Sequence, residues 1–303
     1  MRVLVTGAAG FVARYLVAEL QAAGHEVFTT DIAPQCDAVP RYRPCDICDA
    51  NAVRLLVHEI SPDACIHLAG VSFVPEAARD PGRLYAINVG GTVNVLEALK
   101  ALGSSARFLF VSTAQVYGCT FAPDATPVAE NAELYPLSAY SISKVAGEAA
   151  ARAYGKYAGL KVFIARPSNH TGPGQTARFI VPSFIGQAIA VRRGEKNVFT
   201  AGNLASGRDF SDVRDVVRAY RLILEKGVPG ETYNISSGER ITIAGLFAAI
   251  KKATGTDAPI ESDPSLVRPT DFSRILDVSR IKALGWRPQY ALADTLRDMI
   301  DDA

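Results

Sequence analysis

A tyrosine and a lysine four residues apart, in Tyr140-Ser141-Ile142-Ser143-Lys144, can carry out proton transfer if they lie on one helix. At that spacing both side chains share a helix face. A free tyrosine titrates near ~10, too high for ready proton exchange at neutral pH, and an ammonium one turn away stabilises the phenolate. The same ammonium can hold a ribose hydroxyl. Upstream, Ser112-Thr113-Ala114-Gln115-Val116-Tyr117-Gly118 follows an apolar run. A hydroxyl at Thr113 could bond the substrate oxygen that Tyr140 protonates. Taken singly, Thr113 would equally suit a strand end and Tyr117 a packing position. Their order along the chain makes them a candidate catalytic set.

A second group of residues suits a dinucleotide. Gly7-Ala8-Ala9-Gly10-Phe11-Val12-Ala13 stands between a predicted strand and a predicted helix. Glycine at 7 and 10 permits a tight turn and close approach to a pyrophosphate, and the helix N-terminus supplies amides and positive partial charge. Ala13 replaces the third glycine and is still small enough for helix–strand packing. Asp31, 21 residues after Gly10, ends the second predicted strand. A carboxylate there can accept from both adenosine-ribose hydroxyls and repels a 2′-phosphate, which favours NAD(H) over NADP(H). It would also suit a turn in Asp31-Ile32-Ala33-Pro34, and Arg41 and Arg43 follow closely enough to leave NADP(H) open.

These residues need elements to position them. Val3–Thr6, Val27–Thr30, Ala64–Leu68, Phe108–Ser112 and Val162–Ala165 read as strands. Several are almost wholly apolar, as parallel strands buried on both faces should be. Helical patterns fall near 11–23, 51–60, 80–102 and 138–157. This alternation predicts an α/β fold with a doubly wound parallel sheet. A strand at Tyr233–Ser236 and helices at 212–226, 242–254 and 291–301 follow less regularly. After Arg166 the texture changes to loops rich in Pro, Gly, Ser and Thr, which suit a smaller lobe over the carboxyl ends of the strands.

Composition narrows the function further. The chain has 303 residues, with Lys plus Arg at 32 against Asp plus Glu at 31, so it lacks the basic excess of a nucleic-acid binder. No apolar run reaches the ~18–20 residues that span a bilayer, and MRVLVTGAAG does not read as a signal peptide. The five cysteines include Cys45 and Cys48 as a lone CxxC. Without a second CxxC or an HxxxH, a loop is the better reading than a metal site, and reduced thiols point to the cytoplasm.

With these residues in place, the chain resembles the extended short-chain dehydrogenase/reductases, the nucleotide-sugar epimerase/dehydratase family, over nearly its whole length. TGAAGFVA is similar to the family's TGxxGFxG, and HLAG at 67–70 to its HLAA. Asn88-Val89-Gly90-Gly91-Thr92 is similar to NVxGT, and STAQVYG and YSISK match the Ser/Thr and YxxxK segments. RPSNHTGPGQ, RDFSDVRDVV and Arg268-Pro269 complete the likeness.

The resemblance implies a seven-stranded Rossmann domain over 1–167, to which 211–237 returns, and a substrate lobe from 168–210 and 238–303. Thr113, Tyr140 and Lys144 would be catalytic. Gly7, Gly10, Phe11, Val12, Asp31, Asp46, Ile47, Leu68, Ala69, Gly70 and Asn88 would line the cofactor site, with Tyr140 and Lys144, and the Asp46-Ile47 pair beside the adenine. Thr113 and Asn169 would face the substrate, and Arg208 and Arg268 would bind its diphosphate, although either arginine would also suit a surface ion pair.

NHTGPGQ followed by RFIVPSFIGQ most resembles reductases of GDP-4-keto-6-deoxy-mannose and their dehydratase relatives. A dehydratase of this family carries an acid two residues before the VYG tyrosine, where this chain has Gln115, and an amide cannot exchange that proton. The expectation is therefore a 4-keto reductase, with an NAD-dependent 4-epimerase as the alternative. A catalytically silent nucleotide-sensing or partner-binding protein is the alternative of another class. Ala146, Gly147, Ala149, Ala150 and Ala151 crowd one helix, more small residues than one buried face needs. In the family this helix helps form a four-helix bundle, so a homodimer is expected.

Overall fold

Short apolar runs that can be buried on both faces become the central strands. The computed structural model describes residues 1–103, 106–118, 126–267 and 275–303. It begins β1 (Arg2–Thr6), α1 (Phe11–Ala22), β2 (Glu26–Asp31), β3 (Tyr42–Pro44), α2 (Ala50–Ile60) and β4 (Ala64–His67). Then come α3 (Val74–Arg79), α4 (Pro81–Tyr85), a π-helical segment (Ala86–Gly91), α5 (Thr92–Ala101), β5 (Arg107–Val111) and a 3₁₀ turn (Ala114–Tyr117). The middle of the chain forms α6 (Ala139–Ala158), β6 (Lys161–Pro167), β7 (Asn169–Thr171), α7 (Ile180–Arg192), β8 (Phe199–Ala201) and β9 (Gly207–Asp212). It ends in α8 (Val213–Lys226), β10 (Thr232–Ile235), β11 (Arg240–Thr242), α9 (Ile243–Thr254), β12 (Ile260–Ser262), α10 (Ser279–Ala283) and α11 (Leu292–Asp301).

Seven strands pair in the order β10-β6-β5-β4-β1-β2-β3. Every neighbour is parallel, with Val3 opposite both Val27 and Ala64. The order reverses between β1 and β4, and such a switch point opens a crevice at the carboxyl ends of the strands. Alternation sends Val3 and Val5 to a core shared with α1 and α8, and Leu4 to one shared with α2, α5 and α6. On the second face α6 comes close to β5. A Cβ on Gly147 would lie 2.4 Å from Phe110 Cζ, so glycine permits that approach.

A smaller layer lies beyond this sheet. Strands β11-β9-β7 form one small sheet and β12-β8 another. Their core includes Phe184, Phe199, Leu246, Phe247, Ile250 and Leu296, with Phe184 stacked on Phe247 at 3.9 Å. Among the described residues no helix is long and apolar enough to cross a membrane.

The acids of RDFSDVRDVV brace this architecture. Asp209 accepts from Ser168 Oγ at 2.8 Å and Ser236 Oγ at 2.7 Å, and also from the amides of Ser237 and Gly238. It thus ties together the chain leaving β6 and the chain leaving β10. Asp212 caps α8 through the Arg214 amide at 2.8 Å, and Asp215 holds the Gln289 and Tyr290 amides at 3.0 and 3.1 Å.

The helix expected over 80–102 is broken. Asp80 accepts from the Arg83 amide at 2.9 Å and starts α4, after which the backbone widens into the π-helical segment at Ala86. A π turn inserts an extra residue and turns a chosen side chain inward. Here it carries the buried Asn88.

Candidate active site

The glycine loop is shaped by what would collide with it. Gly7 has φ +76°, and a Cβ there would lie 2.6 Å from the Ala69 amide nitrogen and 2.8 Å from the Leu68 carbonyl carbon. The turn after β1 and the Leu68-Ala69-Gly70 turn after β4 therefore touch backbone to backbone. Gly10 caps α1 without a side chain, and no acid occupies the first turn. The amides at Phe11 and Val12 open toward an anion, as a pyrophosphate requires. Asp31 ends β2 with its carboxylate pinned, accepting from the Ala9 amide at 3.0 Å and the Ala33 amide at 3.2 Å. It is both the turn aspartate and a carboxylate on the rim of the glycine loop.

The Asp46-Ile47 segment lies across the same rim. Ile47 is buried, and its side chain occupies the space beside Gly91 where a Cβ would stand. Asp46 Oδ1 accepts from the Cys48 amide at 2.9 Å, and Asn94 holds the Ile47 carbonyl at 2.9 Å. Asn88, from the π turn, spans the turn after β4. It accepts from the Val71 amide at 2.8 Å and donates to the Val71 carbonyl at 3.1 Å and to Ser143 Oγ at 2.9 Å.

Ser138 starts α6 with a reciprocal cap, accepting from the Ser141 amide while Ser141 Oγ accepts from the Ser138 amide. Tyr140 and Lys144 therefore stand in the first turns of a well-anchored helix, beside the end of β5. Tyr140 and Thr113 are each 8% exposed and hydrogen-bonded to one another. Burial pushes the Tyr140 phenol up to about 12, against the Thr113 bond that draws it down. Lys144 Nζ donates to the Val111 carbonyl at 2.8 Å and lies 5.0 Å from the centre of the Phe110 ring. Burial lowers its ammonium to about 8, with the Glu148 carboxylate working in the other direction. Burial is the larger influence on Tyr140 and favours its protonated form.

Glu148 belongs to a buried network that the motifs did not signal. It takes Arg166 through two bonds of 2.9 and 2.6 Å and accepts from Ser112 Oγ at 2.6 Å. Arg166 also donates to Tyr117 Oη at 2.8 Å, and Tyr117 donates to Asn234 Oδ1 at 2.7 Å. Tyr117 is thus a polar tie in the core and not simply a packing aromatic. The one available signal was Glu148 itself, an acid four residues after Lys144 on the same helix face.

The substrate-side candidates lie on the small sheet. Asn169 on β7 pairs with Phe210 on β9 and donates to the Asp209 carbonyl at 3.3 Å, which sets it beside Arg208. Arg208 donates to Ser206 Oγ at 2.8 Å and to the Gly207 carbonyl at 3.0 Å. Arg268 lies outside the described residues. The loop after β7 is fastened to α1: Tyr15 Oη donates to the Pro173 carbonyl at 2.7 Å, and Arg14 donates to the same oxygen.

A parallel seven-stranded sheet, a glycine loop at its switch point and a Thr-Tyr-Lys set at the end of β5 define an extended short-chain dehydrogenase/reductase. Residues 4–299 match the family model described as GDP-mannose 4,6 dehydratase, and the chain belongs to that family. It is 36% identical to GDP-6-deoxy-D-mannose reductase of Pseudomonas aeruginosa, over 99% of this chain and 96% of that one. The structure of RMD from P. aeruginosa complexed with NADPH superposes with a TM-score of 0.88 at 36% identity, covering 99% of this chain and 98% of that one. The UDP-glucose 4-epimerase of Thermus thermophilus in complex with NAD gives a TM-score of 0.88 at 30% identity, covering 100% and 98%.

The Lys144 shift has a testable sign. The folded chain holds this proton only below about pH 8, whereas an unfolded lysine keeps it to ~10.4. Between those values the unfolded state binds more protons, so this group makes stability rise with pH. Lys144→Met should flatten that rise when urea midpoints are compared at about pH 7 and about pH 10. An unchanged slope would mean that the ammonium is not buried.

Proposed function

We propose that this chain reduces the C4 ketone of a nucleotide-linked 4-keto-6-deoxy-hexose, GDP-linked, using a nicotinamide cofactor. The observation that carries this reading is a buried tyrosine held protonated beside Thr113, with an ammonium one turn away. Reduction needs a proton donor for the carbonyl oxygen, and a phenol near 12 is in the donor state at neutral pH. Thr113 and Tyr140 hold the ketone oxygen between them. The bound nicotinamide nucleotide supplies hydride to C4. Tyr140 passes its proton to the oxygen as charge develops there, and the phenolate left behind lies near Lys144 until solvent reprotonates it.

The cofactor fits the glycine-loop rim. Its pyrophosphate would meet the amides at Phe11 and Val12 beside Gly7 and Gly10, its ribose would meet Asp31, and its adenine would lie beside Asp46 and Ile47. Leu68, Ala69 and Gly70 would form the floor, held by Asn88, and Lys144 would hold the nicotinamide ribose. Residues 1–167 with 211–237 form the cofactor domain, and 168–210 with 238–303 close over the sugar nucleotide. Asn169 contacts the sugar, and Arg208 and Arg268 hold the diphosphate. The reductase relative supports the substrate class, and Gln115, an exposed amide where a dehydratase would carry an acid, argues against water removal although the family model is described as a dehydratase. Asp31 supports a second reading, a 4-epimerase that retains NAD, as does the T. thermophilus likeness. The enzyme works in the cytoplasm.

With GDP-4-keto-6-deoxy-mannose and reduced nicotinamide nucleotide, the wild type should oxidise the nucleotide in step with formation of the 6-deoxy sugar. Tyr140→Phe should bind cofactor normally and turn over slower by a factor on the order of 10². Turnover within a few-fold of wild type removes Tyr140 from the chemistry. Oxidised NAD retained through purification, with C4 inversion and no net redox, would select the epimerase.

The cofactor preference turns on one carboxylate. NADH should bind more tightly than NADPH, and Asp31→Ala should narrow the gap by removing repulsion of the 2′-phosphate. Calorimetric titration with both nucleotides measures this, and a wild-type preference for NADPH would reduce Asp31 to its bonds with Ala9 and Ala33.

The outer side of α6 completes the proposal. Gly147 and Ala151 face the sheet, while Ile142 (44% exposed), Ala146, Ala149, Ala153 and Tyr157 (79% exposed) form an outward stripe. Paired with the same helices of a second copy, this stripe would close a four-helix bundle. Light scattering at micromolar concentration should give twice the 32.3 kDa chain mass, and Ala149→Glu should give folded monomer. A wild-type mass of one chain rules the dimer out.

A further inference from the structure

Behind the cofactor rim runs a chain of fully buried polar groups that the reaction itself does not use. Thr6, His67, Asn88, Thr92 and Ser143 are each at most 2% exposed. Thr6 ends β1 immediately before Gly7, His67 ends β4, and Thr92 starts α5 just after the π turn. His67 lies between Thr6 Oγ1, 2.8 Å from Nδ1, and Thr92 Oγ1, 3.1 Å from Nε2. Its ring lies against Phe108 and Phe110, with centroids 5.8 and 6.2 Å away.

The direction of every bond in this chain is forced. Thr92 has one hydroxyl proton, and it goes to the Asn88 carbonyl at 2.7 Å. Thr92 can then only accept from His67, so Nε2 carries the ring proton. Nδ1 is left as an acceptor, and the Thr6 hydroxyl donates to it. Thr6 Oγ1 in turn accepts from the Ala69 amide at 3.2 Å. Protonating Nδ1 as well would leave the Thr6 hydroxyl donor buried without an acceptor, a cost of about 1–3 kcal/mol. Burial, helped by the nearby Lys144 charge, lowers His67 to about 3 and keeps it neutral. Beyond Asn88, Ser143 Oγ accepts from the Asn88 amide and donates to the Tyr140 carbonyl at 2.7 Å.

We infer that His67 and Thr92 are positioning residues, forming a one-directional hydrogen-bond chain that sets the glycine-loop turn, the turn after β4 and the first turn of α6 in register for the cofactor. His67 and Thr92 bond to neither Tyr140 nor Thr113 and act only through the residues at the ends of the chain. Its two ends are Ala69, against which Gly7 is pressed, and Tyr140. A slack link would let the backbone floor of the cofactor site drift relative to the helix bearing Tyr140 and Lys144. This rests on the reading of the rim as a cofactor site given above, but not on which sugar is reduced.

Two measurements test it. In wild-type protein labelled at histidine nitrogen, His67 should show a pyridine-like Nδ1 and a pyrrole-like Nε2, unchanged from about pH 6 to about pH 9. His170, whose Nδ1 donates to the Ser168 carbonyl, should show the opposite tautomer, and the resonance displaced by Thr92→Val identifies His67. A protonated Nδ1 or a titrating His67 overturns the chain, whatever the variants do. Thr92→Val keeps the shape and removes both links; it should weaken nicotinamide-nucleotide binding by about tenfold, the scale of a broken buried hydrogen bond. Thr92→Ser should restore affinity to within about twofold. Valine binding as tightly as threonine, or serine failing to rescue, refutes the positioning role. A wild type that binds the nucleotide but leaves the keto sugar untouched refutes the substrate proposal instead, and one that binds neither nucleotide refutes both.

Discussion

One buried ammonium organises the reacting edge of this protein. Lifting a lysine out of water costs several kcal/mol unless other groups replace its hydration. Lys144 recovers part of that from the Val111 carbonyl, the face of Phe110 and the field of Glu148. Each of these has its own requirement. The Phe110 contact brings α6 so close to β5 that a Cβ at residue 147 would meet the ring, and a Glu148 carboxylate at 2% exposure needs Arg166. Arg166 in turn brings Tyr117, and Tyr117 brings Asn234 from β10. One functional charge thus dictates polar residues on α6, β6, β10 and the 3₁₀ turn after β5.

The same low dielectric acts on Tyr140 and Lys144 in opposite senses. It disfavours the charged form of each, so the phenol moves up and the ammonium moves down. The two groups keep their proton and their charge through the neutral range, which is the state a ketone reduction starts from. Thr113 acts against the upward shift of the phenol, and its bond to Tyr140 fixes where that hydroxyl points.

What the sequence made legible follows from how local each signal is. Strands such as Ala64–His67 announce themselves because both faces are buried and every residue is apolar or hydrogen-bonded at the strand end. The glycine loop and the Tyr140–Lys144 pair are readable because their partners lie within a turn or two along the chain. The three-residue strands β3, β7, β8, β11 and β12 are too short to show alternation, and tertiary pairing alone creates them. The π turn at Ala86–Gly91 was hidden inside a good helical pattern, since periodicity does not register one inserted residue. The Glu148–Arg166 pair joins a helix to the following strand, and the Thr6–His67 pair spans 61 residues. Neither separation leaves a trace in local composition.

The fastening of the loop after β7 to α1 has a consequence for how this scaffold can change. Tyr15 and Arg14 both donate to the Pro173 carbonyl, and Gly174 sits at φ +72° against the Arg14 guanidinium. The loop nearest Asn169 therefore takes its shape from α1, not only from the small sheet to which β7 belongs. A chimera that borrows the 169–175 loop from another family member while keeping this α1 would inherit a mismatched latch. The smallest unit that can be exchanged intact is the loop together with residues 14 and 15, two pieces of sequence that lie 158 residues apart at the Tyr15–Pro173 bond.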